Sequence, residues 1–83
     1  MNHTRLYVGD LGPNITEQQL HDLFGTAGEV VGVALAQSST FAFVEMASAI
    51  EAQHAIDQYN GYTLAGSKLI VHSVPPRSHP RLG

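Results

Sequence analysis

"STFAFVEM", Ser39 to Met46, puts Phe41 and Phe43 two residues apart, with Ala42, Val44 and Met46 in the alternate positions. Residues two apart in a β-strand share a face. As a strand, the segment turns both phenylalanines one way and its aliphatic side chains the other. A half-buried strand needs one apolar face for the core, so the larger rings on the opposite face call for a separate explanation.

The segments on either side supply the rest of a small domain. "RLYVGDL" (Arg5 to Leu11) alternates, with Leu6 and Val8 on one side and Arg5, Tyr7 and Gly9 on the other, and the turn signal "GPN" follows. A helix begins at Thr16, whose spacing to Gln19 forms a capping box, and Ile15 is placed to staple onto Leu20. Leu20, Leu23 and Phe24 form its apolar stripe, and Gly25 and Gly28 end it. "VVGVALA" (Val30 to Ala36) reads as a second strand, joined to "TFAFVEM" by a hairpin. A second capping box, Ser48 with Glu51, opens a helix with Ala52, Ala55, Ile56 and Tyr59 on one face, closed by Asn60-Gly61. "YTLAG" (Tyr62 to Gly66) reads as a turn. "KLIVHSV" (Lys68 to Val74) reads as the last strand, with Leu69 and Val71 on one side, Ile70 and His72 on the other, and Pro75-Pro76 at its end.

The order β-α-β-β-α-β predicts an α+β, ferredoxin-like sandwich: a four-stranded antiparallel sheet with two helices on one face. The first and third strands lie together at the centre. Leu6, Val8, Ala42, Val44 and Met46 then face the helices, while Tyr7, Phe41 and Phe43 gather on the face that no helix covers. Exposed rings on a flat sheet suit a ligand with a π-face, and nucleobases have one.

Composition limits the alternatives. The chain has 83 residues, enough for one domain. It contains no cysteine, which excludes disulfides and thiolate metal sites. The five histidines lack metal-ligand spacing, and no cofactor is implied. No apolar run is long enough for a membrane helix, and the N-terminus lacks the charged-then-apolar pattern of a signal peptide. A soluble, intracellular domain is expected, in nucleus or cytoplasm. The formal net charge is −3, unlike the usual basic nucleic-acid binder. Residues 1–74 hold all seven acidic residues against Arg5 and Lys68, whereas residues 77–83 carry Arg77 and Arg81 and no acid.

Together, "LYVGDL" and "STFAFVEM" resemble the short and long RNP segments of the RNA-recognition motif, and "NGYTLAGSKLIV" is similar to that family's passage from second helix to last strand. The resemblance spans about residues 4–76. Phe41, Ala42, Phe43 and Val44 match the third to sixth positions of the pattern K/R-G-F/Y-G/A-F-V-x-F/Y. The resemblance implies a single-stranded RNA partner, with Tyr7 and Phe43 stacking successive bases and Phe41 packing against the sugars. His72 is placed to stack on or hydrogen-bond a base. Arg5 is placed to contact phosphate, or to pair with Glu45, which the family's register puts on the same face. Arg77, and less directly Arg81, are placed to fold over a bound strand. A single domain over residues 1–76 with a flexible basic tail at 77–83 follows, monomeric in itself and adaptor-like within a longer protein or a ribonucleoprotein with protein partners.

Three departures from the family pattern bear on affinity. Ser39 stands where Lys or Arg is usual, Thr40 where Gly is usual, and Met46 where an aromatic is usual. Only Ala36 to Thr40 link the second and third strands, a short form similar to SR-type and paraspeckle-type members. Fewer phosphate clamps imply weak binding with a shallow salt dependence. The competing reading is a protein-interaction module on the same scaffold. Catalysis is not expected: acylphosphatases share this sandwich, but "GEVVGVALAQ" (Gly28 to Gln37) has no arginine for a phosphate loop. Protonating all five histidines would carry the formal charge from −3 to a positive value. RNA affinity is therefore expected to rise as pH falls from about 8 to about 6; an affinity flat across that range contradicts this.

Overall fold

The computed structural model describes residues 4–36 and 40–74. The elements run β1 (Arg5–Gly9), α1 (Glu17–Phe24), β2 (Val30–Leu35), β3 (Phe41–Met46), α2 (Ala49–Tyr59), β4 (Thr63–Leu64), β5 (Ser67–Lys68) and β6 (Ile70–Val74). The main sheet has the order β2-β3-β1-β6 and is antiparallel throughout. The expected sandwich is the observed fold. Helix α1 packs on β2, and α2 packs on β6, β3 and β1, so both cover one face.

The core lies between helices and sheet. Leu6, Val8, Ala42, Val44 and Val71 from the strands meet Leu20, Phe24, Ala52 and Ala55 from the helices. Each of these strand residues alternates with one on the other face, as the period of two requires. Small Ala52 and Ala55 let α2 lie close to the sheet.

Local chemistry sets the helix ends. The Thr16 hydroxyl accepts from the Gln19 backbone N–H, and the Gln19 side chain accepts from the Thr16 N–H, completing the box. Helix α1 ends at Gly25 in a right-handed conformation, so its stop does not use a left-handed glycine. Thr26 Oγ1 instead caps the Leu23 carbonyl. The second box forms only by half. Ser48 Oγ accepts from the Glu51 N–H, but the Glu51 carboxylate accepts from the Ser48 hydroxyl and from the Glu29 N–H. Glu51 is drawn there because the chain at Gly28 passes against it: a Cβ on Gly28 would sit 2.6 Å from Glu51 Cβ.

The expected last strand is interrupted. Ser67–Lys68 pairs with Thr63–Leu64 as a separate small hairpin, and the sheet strand starts at Ile70. Ala65 and Gly66 both have positive φ, 50° and 83°, which is the primed turn that a two-residue hairpin loop requires. Each edge strand of the main sheet has one backbone donor satisfied by a side chain from a helix or its cap. Glu17 accepts from the Leu35 N–H on β2, and Asn60 Oδ1 accepts from the Val71 N–H on β6. Satisfying edge donors in this way blunts strand-to-strand association.

Candidate nucleic-acid interface

The face away from the helices is built in rows by the strand register. Tyr7 on β1 stands opposite Phe43 on β3 and His72 on β6, and Ala34 on β2 pairs with Phe43. One row further on, Gly9 stands opposite Phe41 and Ile70. In the other direction, Arg5 stands opposite Glu45, which pairs with Gly32.

The rings form one connected cluster. Tyr7 stacks near-parallel with His72 at 5.0 Å between centroids and with Phe41 at 5.7 Å. Phe43 meets Tyr7 and Phe41 edge-on, at 6.1 and 5.7 Å. Such contacts stabilise the arrangement by about 0.5–1.5 kcal/mol each beyond simple burial. Because the rings cover one another, Tyr7, Phe41 and Phe43 are half-buried rather than fully exposed, while His72 and Ile70 stand exposed. Among the residues expected at the site, Arg5, Tyr7, Phe41, Phe43 and His72 therefore converge on one surface. Arg77 lies outside the described residues.

Gly9 keeps the platform low. A Cβ there would come within 2.7 Å of Tyr7 Cε2 and 2.9 Å of its hydroxyl, so the Tyr7 ring lies across the glycine. Gly9→Ala adds about 0.5–1 kcal/mol of backbone preference for the strand and pushes the ring off its seat. The expected result is a melting temperature that falls by a few degrees at most, the backbone gain offsetting part of the lost Tyr7 ring contacts, with RNA affinity lowered at least about fivefold, the low end of one stacking contact. Thermal melting and fluorescence anisotropy on the same variant check both halves.

Arg5 is already engaged. Its Nε pairs with Glu45 Oε1 at 3.3 Å, and its guanidinium carbon lies 5.8 Å from the Phe43 ring centroid, within cation–π range. Thr4 Oγ1 donates to Glu45 Oε2. The sequence offered both an ion pair and a phosphate contact for Arg5, and the structure shows the ion pair. An exposed pair of this kind contributes little to stability, at most about 1 kcal/mol. Of the seven acidic residues, Glu17 and Asp22 are on α1, Glu51 and Asp57 on α2, Glu29 in the turn before β2, and Asp10 directly after β1. Glu45 is the acidic residue within the rows of the open face. Sequence reading gave Glu45 only the part of an ion-pair partner and overlooked the space beside it, although its distance of two from Phe43 already fixed its face.

A family model described as "RNA recognition motif" matches residues 6–70, and the chain belongs to that family. The family is one of binding domains rather than enzymes. The chain is 34% identical over 68 residues to Polyadenylate-binding protein RBP45A of Arabidopsis thaliana, covering 82% of this chain and 18% of that protein. It is 40% identical over 78 residues to RNA-binding protein CP29B, chloroplastic, of the same plant, covering 87% of this chain and 27% of the relative. The chain thus spans 18% and 27% of the length of these two relatives. The crystal structure of RNA Binding Protein PG1 superposes with a TM-score of 0.81 at 28% identity, covering 92% of this chain and 99% of that one. Among the described residues no helix is long and apolar enough to cross a membrane.

Proposed function

We propose that this chain binds short single-stranded RNA on the open face of its sheet. The observation that carries the reading is the ring cluster, with Tyr7 in contact with Phe41, Phe43 and His72 on a surface no helix covers. Tyr7 and Phe43 stack successive bases, Phe41 packs against the intervening sugar, and His72 extends the platform on β6. Arg5 serves the bound nucleotide with the donors that remain beyond its Nε, and Arg77 closes over the strand from the basic tail at residues 77–83. Residues 1–76 act as one monomeric domain. Its role is that of a weak, adaptor-like contact in RNA processing or post-transcriptional regulation, alongside protein partners in an intracellular ribonucleoprotein. The names of the relatives support RNA as the ligand class.

Stacking needs splayed bases, which a duplex does not offer. End-labelled single-stranded RNA bound to the protein is therefore displaced by unlabelled single strand, and at least about tenfold less well by duplex of the same sequence. Equal competition by duplex means that phosphate charge alone drives binding, and the platform reading fails. Absence of any RNA binding favours the protein-docking alternative.

A further inference from the structure

We propose that Glu45 and Arg5 read the base that stacks on Phe43, and that they select guanine. The proposal rests on the RNA-binding reading above and adds its specificity.

The ring row borders a charged row, and β2 contributes only small side chains beside both. Ala34 is the partner of Phe43, and Gly32 is the partner of Glu45. A Cβ added at Gly32 would meet nothing within 4 Å. The result is an open depression of about 290 Å³ lined by Arg5, Gly32, Val33, Ala34, Phe43 and Glu45. A base stacked on Phe43 has room to extend over β2, with one edge turned toward the carboxylate.

That carboxylate is held from two sides. Glu45 Oε1 accepts from Arg5 Nε at 3.3 Å, and Oε2 accepts from Thr4 Oγ1. An ionised carboxylate has about four lone-pair sites, so each oxygen keeps one for a ligand. Arg5 uses Nε in the pair, which leaves the N–H groups of its two terminal nitrogens as donors for a ligand. The row therefore presents a donor followed by two acceptors.

Guanine is the base that complements this order. Its Watson–Crick edge carries the O6 acceptor, then the N1–H donor, then the N2–H donor. O6 accepts from Arg5, and N1–H and N2–H donate to the two oxygens of Glu45. Uracil turns two carbonyl oxygens toward the same row, with one N–H between them. Adenine and cytosine each offer one amino group beside an acceptor nitrogen. Charge-assisted, paired hydrogen bonds discriminate well because the wrong base leaves like-signed atoms facing each other.

The test uses uridine-rich oligoribonucleotides that differ at one position, carrying A, C, G or U there, titrated into the labelled full chain. Guanine is expected to bind about tenfold more tightly than uracil, the scale of one good bidentate contact. Glu45→Gln replaces one acceptor by a donor and keeps the size, so the guanine oligonucleotide should weaken, the all-uridine one should hold or gain, and the preference should fall to within about twofold. Gly32→Val puts side-chain atoms into the depression, where an added Cβ meets nothing within 4 Å, and should weaken the guanine oligonucleotide most. Oligonucleotides that shift the sheet signals with no guanine preference, or with one that survives Glu45→Gln, overturn this inference and leave the RNA platform standing. Sheet signals unmoved by every oligonucleotide overturn the platform itself, and this inference with it.

Discussion

Replacing Phe43 by alanine is expected to lower the affinity for single-stranded RNA by about 5–150-fold, the equivalent of one lost stacking contact of about 1–3 kcal/mol. Phe43 is the ring nearest to both the cationic Arg5 and the depression over β2, and it meets Phe41 and Tyr7 edge-on. The fold should survive the change. Phe43 lies on the face away from the core, and its neighbours Ala42 and Val44 supply the buried contacts of β3. Loss of two ring contacts removes about 1–3 kcal/mol of stability at most, a fraction of what a core truncation removes. Isothermal titration calorimetry on folded wild type and variant measures the effect. An unchanged affinity would remove Phe43 from the binding surface.

Replacing Phe24 by alanine has the largest expected effect on stability and acts through the other face. Phe24 is fully buried at the end of α1, and its ring lies 5.4 Å from that of Tyr59 on α2. It joins the two helices above the sheet. Truncating such a residue costs about 3–5 kcal/mol, because the cavity it leaves collapses only in part. A domain of this size has a total stability of roughly 4–12 kcal/mol at 0.05–0.15 kcal/mol per residue. The melting temperature should fall by on the order of 15–30 °C, and the least stable outcome is a chain unfolded at room temperature. Ile50, also on a helix but 71% exposed, is the control: Ile50→Ala should change stability by no more than about 0.5 kcal/mol. Circular dichroism melts of both variants make the comparison. Similar melting temperatures for the two would contradict the assignment of Phe24 to the core.

These two phenylalanines also show how much of the molecule could be read from its sequence. Phe24 was placed by helical spacing from Leu20, and Phe43 by strand spacing from Phe41. Both periods report which face a side chain takes, and both faces are as expected. Thr16 and Gln19 marked a helix start through chemistry confined to four consecutive residues, and the box is complete. Ser48 and Glu51 have the same pattern, yet Glu51 turns to the Glu29 N–H. Only tertiary contact between the first turn of α2 and the turn before β2 brings that donor near. The hairpin of β4 and β5 was read as a turn because its loop is Ala65-Gly66. Alanine rarely takes the positive φ that this loop demands, so the usual Asn-Gly or Asp-Gly signal was missing. The candidate site followed the same division. Which residues share the open face was legible from alternation. That Tyr7 lies across Gly9, and that Gly32 and Ala34 leave space beside Glu45, depended on neighbours brought together by strand pairing.

If RNA lands on the open face of the sheet, its contacts map to the strands and not to the helices. The most direct measurement is a nuclear magnetic resonance titration of isotope-labelled protein with short single-stranded RNA at low salt. Shifts are expected to concentrate at Tyr7, Phe41, Phe43, His72 and Glu45, with the outer faces of α1 and α2 unmoved. Shifts confined to the helices, or a sheet that stays silent at millimolar RNA, would contradict binding on the open face.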